Sequence, residues 1–260
     1  MTRLFLFSCF VALLCCGCGK DEKSVLSEDE RAKELLQGIW VADDNKEPVM
    51  LVKKDSISFP DSASVTVYFR IDKDSIYLHG QTINAYKILK QTANSFTFLN
   101  ENSEDVVLSK SNDSNLHASF DYHVYAMNTF TIERSDTFVK TDRGYYQCDI
   151  YAQTGSERVI KSTFNDVGLE IDNVYLDNVI SVNIQNGGKL VFSHDFRKAE
   201  FQSLVDKEFL KKSILKALRF SHTDMKALYF EASIGIPDAA SSYIIELRIT
   251  PDGKITKRTK

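Results

Sequence analysis

Cysteine is nearly missing from the body of this chain. Four of its five cysteines, Cys9, Cys15, Cys16 and Cys18, fall in the first eighteen residues, and Cys148 stands alone in the rest. A disulfide framework is therefore excluded, and stability has to come from a hydrophobic core. Basic residues are not in excess either. The net charge is −4, and removal of residues 1–17, which carry only Arg3, moves it to −5. A mildly acidic chain gives no electrostatic footing for nucleic acid. Long apolar runs are absent too. Leu4 to Leu14 is almost wholly apolar, but eleven residues of helix rise only about 16 Å, roughly half the hydrocarbon thickness of a bilayer. Several catalytic signatures are missing as well: no Gly-x-Ser-x-Gly elbow, no His-Glu-x-x-His helix, no Gly-x-Gly-x-x-Gly loop and no phosphate-binding loop. Gly187-Gly188-Lys189 lacks the upstream glycine and the hydroxyl residue after lysine that such a loop needs.

What is present begins with an address. Arg3, the apolar run and the small residues before Cys18 have the layout of a secretory signal. Leu13-Leu14-Cys15-Cys16-Gly17-Cys18 resembles the lipobox of bacterial lipoproteins, with Cys18 as the lipidated residue and Cys16 as the fallback. Cys15, at the usual aliphatic position, departs from that pattern. Lys20, Asp21 and Glu22 follow, and resemble the export signal of Bacteroidetes envelope lipoproteins. The resemblance implies a signal peptide over 1–17, a tether over 18–27 and lipid anchoring at the outer membrane. It leaves the cell surface and the periplasmic face both open.

Past the tether, hydrophobic periodicity predicts an α+β, mainly β chain in two domains. Ser27, with Glu30 at the capping-box position, predicts a short helix ended by Gly38. Residues 28–110 read as that helix plus a small antiparallel β-barrel or sandwich. Val65, Val67, Phe69 and Ile71 alternate on one strand face, and further strands are expected at 49–52, 56–59, 75–78, 85–89, 95–99 and 106–108. Lys54-Asp55-Ser56-Ile57 and Lys73-Asp74-Ser75-Ile76 read as one turn used twice. Gly38-Ile39-Trp40 resembles the Gly-x-Trp opening of lipocalin-like barrels, which implies a tight helix-to-strand passage at the glycine and a tryptophan closing the barrel end. Seventy residues make a barrel too small for a sizeable ligand.

Residues 111–260 read as an antiparallel sheet with one amphipathic helix packed on it. Strands are expected at 130–132, 145–152, 174–182 and 190–192, with Asn186-Gly187-Gly188 as a hairpin turn. Asp206 caps the expected helix, whose apolar face is Leu210, Ile214, Ala217 and Leu218. Two strands and a turn at Thr250-Pro251-Asp252-Gly253 then close the chain.

Three places could carry chemistry. Cys148 beside Asp149 reads as a buried structural thiol, since an adjacent carboxylate disfavours a thiolate. If His117 to His123 were a strand, His117, Asp121 and His123 would share a face and two of them could meet a metal, although a wet face opposite Ala118, Phe120 and Val124 explains the alternation without one. His194-Asp195 invites a catalytic dyad, but neighbours on a strand point to opposite sides. The sequence thus assigns no catalytic residue, metal or cofactor. It points to a membrane-tethered module that binds an envelope protein or glycan and no nucleic acid, with a hydrolase or transferase of dispersed residues, or a carrier of a small apolar ligand, as the other readings.

Overall fold

The computed structural model describes residues 28–61, 63–121, 123–128 and 133–260. Cys18, Lys20, Asp21, Glu22 and Ser27 lie outside them, as do Tyr122 and the strand expected at 130–132.

The first helix, α1 (Glu30–Leu36), is capped by Asp29, whose carboxylate accepts the Ala32 N–H at 2.9 Å. Gly38 follows at φ +112, a conformation that favours glycine, and turns the chain straight into β1. The indole N–H of Trp40 returns to the Leu36 carbonyl at 2.6 Å, so helix and tryptophan close one end together, as the Gly-x-Trp resemblance implies.

Eight antiparallel strands form a closed barrel in simple chain order: β1 (Gly38–Ala42), β2 (Pro48–Lys53), β3 (Ser56–Ser58), β4 (Val67–Asp72), β5 (Ser75–His79), β6 (Ile83–Gln91), β7 (Ser95–Leu99) and β8 (Asp105–Ser111). β1 pairs with β8 to close it. Eight strands fit so short a stretch because each runs for only three to nine residues. The reused turn is real: Lys54 and Lys73 open matching two-residue loops at φ 54 and φ 55. Trp40, Phe59, Phe69, Phe96 and Phe98 are all fully buried and fill the interior.

Beyond the barrel, a 3₁₀ turn (Ser114–His117) leads into α2 (Ala118–Asp121), whose Phe120 packs on Ile39 and Val41. Two four-stranded antiparallel sheets follow. The first has the order β12-β11-β10-β9 and comprises β9 (Glu133–Thr141), β10 (Gly144–Phe164), β11 (Glu170–Asn186) and β12 (Lys189–Arg197). The second comprises β13 (Ile214–Thr223), β14 (Leu228–Gly235), β15 (Ser242–Ile249) and β16 (Ile255–Thr259) in sequence order. Tyr146, Cys148, Ile150, Ile180, Val182 and Ile184 of the first sheet share one core with Phe230, Ala232, Ile245 and Leu247 of the second. The pair is a sandwich in which alternate residues face inward.

The mainly β class holds, and the helix expected over 206–218 does not run its length. Asp206 does cap it, accepting the N–H groups of Glu208 and Phe209, but α3 (Lys207–Lys211) is a single turn. Ile214, Ala217 and Leu218 belong to β13. The reason is a long-range partner: Asp177 accepts the Leu215 N–H at 2.7 Å and draws that segment into the sheet.

β10 and β11 are much longer than their sheet. β9 pairs only with 144–152 of β10, and β12 only with 179–186 of β11. After a register shift between Thr154 and Arg158, the two strands continue as a hairpin arm over 158–164 and 170–176. Its tip seats in the barrel: Leu169 and Ile171 join the barrel core, and Tyr86 accepts the Glu170 N–H at 2.8 Å. The barrel loop clasps the arm through Val65 N–H to Asp172 O at 2.8 Å and Val174 N–H to Ala63 O at 3.1 Å. Side-chain and backbone bonds to Asp172 complete the joint, from Ser162 Oγ and the Gln81 N–H, both at 2.6 Å. A Cβ at Gly80 would lie 2.5 Å from the Asp172 carboxylate, so this approach needs glycine.

This joint makes a direct prediction. Ile171→Ala removes a fully seated side chain from a filled interior and should cost about 2–5 kcal/mol, the usual range for such truncations. Urea denaturation of the full chain followed by tryptophan fluorescence reads it at Trp40. An unchanged midpoint would mean that the arm tip contributes nothing to the barrel core.

Candidate functional site

The sequence candidates separate once placed. Cys148 is fully buried in the sandwich core, and burial, then the neighbouring Asp149 charge, pushes its thiol up to about 12. A thiol there stays protonated and inert. His117 and His123 do not share a strand face, because residues 114–121 form the 3₁₀ turn and α2. Asp113 starts that turn by accepting the Asn115 N–H at 2.9 Å, a local cap that outcompetes the extended form. Among the described residues, no group of three or more histidines, cysteines and carboxylates could hold a metal ion.

His194 is paired, with Glu200 and not with Asp195. Its Nε2 lies 3.1 Å from a Glu200 oxygen, while Asp195 on the opposite face accepts from Ser181 Oγ at 2.5 Å. Glu200 also accepts from Lys257 Nζ at 2.8 Å and from the Arg197 N–H at 3.1 Å. Lys257 belongs to β16 and His194 to β12, the two edge strands on one side of the sandwich. The cluster therefore bridges one open seam between the sheets. Lys257 lies 4.8 Å from the Phe201 ring centre, and His194 meets Phe196 edge-on at 4.6 Å. With its carboxylate held by three donors, His194 serves the seam.

A second polar knot joins β11 to the segments after β12. Asp177 accepts the N–H groups of Asn178 and Leu215, and Lys198 donates to Ser213 O at 2.9 Å with the Asp177 carboxylate 3.7 Å away. Burial raises the Asp177 pKa, against the hydrogen bonds and the Lys198 charge that lower it. A cleft of about 520 Å³ opens beside Lys198, lined by Arg158, Gln202, Lys207 and Lys211. Three of its four cations already have company: Lys211 pairs with Glu208, Arg158 sits 5.9 Å from the Tyr125 ring centre, and Lys198 faces Asp177.

The outer face of β9–β12 is different. Register places its side chains in rows across four strands. Phe138, Gln147, Gln185 and Leu190 form one row, and Asp136, Asp149, Asn183 and Ser193 the next. Arg134, Tyr151, Ser181 and Asp195 form a third, while Tyr145 and Lys140 lie beyond the first. Phe138 is 70% exposed, Tyr145 66% and Leu190 55%. All three are large apolar side chains left uncovered on one sheet face. At the centre, the Gln147 amide donates to both Asp149 oxygens at 3.1 and 3.2 Å, and Arg134 approaches to 3.5 Å. The side-chain amides of Asn183 and Gln185 make no hydrogen bond among the described residues, leaving their donors and acceptors for a ligand or solvent. Beneath the same end of the sandwich, the cavity between Tyr146, Ile184, Leu228 and Ile249 holds about 20 Å³, room for a water molecule and nothing larger.

The sequence reading missed this face. Its signal was legible in Tyr145-Tyr146-Gln147-Cys148-Asp149-Ile150-Tyr151: Tyr146, Cys148 and Ile150 fill the core side, so Tyr145 and Tyr151 must stand on the other.

A filled eight-stranded barrel, joined by a shared hairpin to a sandwich with one open aromatic face, defines a two-part antiparallel β protein. A family model described as a domain of unknown function (DUF4738) matches residues 112–257, the stretch that contains the sandwich and the arm, and the chain belongs to that family. No curated protein matches the chain.

The seam yields a pH prediction. Burial pushes the Glu200 carboxyl up, but the hydrogen bonds from Lys257, His194 and the Arg197 N–H outweigh it and hold the pKa below its ordinary value of 4.5. A depressed folded pKa stabilises above the unfolded pKa and loses that contribution as pH falls through the folded value. Glu200 is only partly buried and solvent screens its pairs, so Glu200→Gln should cost about 0.5–1 kcal/mol at pH 7. The gap to the wild type should close below pH 4, read as urea midpoints across that range. A gap that persists undiminished at pH 3 would refute the ionic role of Glu200.

Proposed function

We propose that this chain is a lipid-anchored protein of the bacterial outer membrane whose folded part is a non-catalytic binding module. The observation that carries the binding role is the outer face of β9–β12, where Phe138, Tyr145 and Leu190 stand exposed around the side-chain amides of Asn183 and Gln185, which make no hydrogen bond among the described residues. The anchor rests on the sequence: Arg3, the apolar run and Cys18 for lipid, with Lys20, Asp21 and Glu22 as the export signal. About 0.8 kcal/mol per buried CH₂ group makes several acyl chains an effective tether. The tether read from the sequence, residues 18–27, separates the lipid from the first helix.

Neither alternative finds comparable support. A carrier would need space inside the barrel, where Trp40, Phe59, Phe69, Phe96 and Phe98 are packed together instead. A hydrolase or transferase would need a reactive group aimed at solvent, and His194 is engaged with a carboxylate that Lys257 also holds.

Anchoring and binding are tested separately. Cys18→Ser should move the protein into the soluble envelope fraction and abolish labelling by palmitate. Continued labelling would shift the acceptor to Cys16 or Cys15 and displace the cleavage site. For binding, a benzophenone side chain placed at position 145 or 138 and irradiated in cells should give an adduct of reduced mobility. The same probe at Arg219, on the outer face of the other sheet, should not. Equal behaviour at all three positions would remove the outer face of β9–β12 as the binding surface.

A further inference from the structure

We propose that the outer face of β9–β12 binds a neutral glycan chain. This rests on the binding reading above and adds the chemical class of the ligand.

The dimensions suit an extended ligand. Neighbouring strands lie about 4.8 Å apart and alternate residues about 6.8 Å apart along a strand, so four strands by three rows present roughly 14 by 14 Å, and Tyr145 with Lys140 extends β9 and β10 one row further. Tyr145, Gln147, Asp149 and Tyr151 mark the four rows on β10. The surface is thus a shallow platform wide enough for several sugar rings in line.

Its chemistry separates glycan from protein. A protein interface places apolar and aromatic residues at its desolvated centre and polar ones at the rim. Here the order is reversed: Gln147, Gln185, Asp149 and Asn183 hold the centre, and Phe138 and Leu190 stand at the two ends of their row. A sugar ring carries hydroxyls around its edge and C–H groups on its faces. Planar amides and carboxylates bond paired hydroxyls, and the exposed rings of Tyr145 and Phe138 offer surfaces for the C–H faces. Asp149 is buried beneath this face, and its carboxylate holds the Gln147 side chain and Arg134 in place rather than meeting a ligand itself, so those two groups are positioned before a ligand arrives.

Charge narrows the class further. Within these four rows, Arg134 and Lys140 face Asp136, Asp149 and Asp195, two cations against three carboxylates. Phosphorylated, sulfated or nucleic-acid polymers gain no attraction from that balance. A neutral chain meets no repulsion.

Affinity electrophoresis of the full chain in non-ionic detergent tests this, in native gels cast with xylan, mannan, starch or mixed-linkage β-glucan, and with dextran sulfate. At least one neutral polymer should retard the protein, and dextran sulfate should not. Tyr145→Ala, Phe138→Ala and Asn183→Ala should each weaken retardation about tenfold with the thermal midpoint unchanged, while Arg219→Ala leaves it intact. Asn183→Gln keeps the amide and guards against a purely structural loss. Retardation by dextran sulfate alone, or retardation that the three variants leave untouched, overturns the proposal. If no neutral polymer acts while benzophenone at position 145 still captures a protein, the glycan is wrong and the binding face stands. If neither assay responds, both fall.

Discussion

The rest of the structure depends on the arm tip seated in the barrel. A hairpin of two long strands, 21 and 17 residues, contributes its inner half to the sandwich and its outer half to a different core. Leu169 and Ile171 are buried alongside the aromatic residues of the barrel itself. Each such side chain is worth about 1.5–3 kcal/mol of burial. The backbone bonds at Ala63 and Val65, with the Gln81 N–H on the Asp172 carboxylate, then fix the register of the arm against the barrel wall. A one-residue slip would turn Ile171 out and place Asp172 or Glu170 in the apolar interior. Cores that share a hairpin in this way restrain each other.

How much of this was legible follows from how local the signal is. Seven of the barrel strands came through because each is short and ends in a turn with its own chemistry, as at Lys54-Asp55 and Lys73-Asp74, whereas β1, buried from Ile39 to Ala42, has no alternation to read. The Asn186-Gly187-Gly188 hairpin did too, with both glycines at positive φ. The segment after Lys211 misled because Leu210, Ile214, Ala217 and Leu218 fit helical spacing, while the residue that recruits them to a strand, Asp177, is 38 positions away from Leu215. The arm was invisible for a related reason. Asp172 and Asn173 precede the strand expected at 174–182 and Asp177 and Asn178 interrupt its apolar pattern, yet all four are buried, each with a partner that only the folded chain brings near.

The sites divide along the same line. Cys148 was legible as an inert thiol because both causes, an apolar alternation and an adjacent carboxylate, are local. The partner of His194 was not, although Arg197 and Glu200 stand three apart as a reciprocal cap does. Lys257, which completes that seam, comes from the last strand and could be placed only by the sheet order. The aromatic face needed four strands in register before its rows existed at all. The one local trace, Tyr145 to Tyr151, shows only which of its own rings leave the core.

The two outer faces of the sandwich show why one of them is the surface with unmet capacity. Across β13–β16, Arg219, Glu231, Glu246 and Arg258 form one row in which each acid lies beside a base. Arg258 Nε donates to Glu246 at 2.7 Å, Lys260 pairs with Glu231, and the Tyr229 ring is covered by His222, stacked at 4.3 Å. That face satisfies its own charges and shields its own ring. Across β9–β12 the rings of Phe138 and Tyr145 are exposed, and two amides in adjacent rows make no hydrogen bond among the described residues. Both faces are wet sides of the same sandwich, built from the same alternation, so folding alone does not demand the difference. Exposed rings carry a cost in solubility, and a polar substitution at Phe138 or Tyr145 would disturb nothing in the core. Their presence on one face, beside idle amides, is the mark of a surface shaped by something other than the fold.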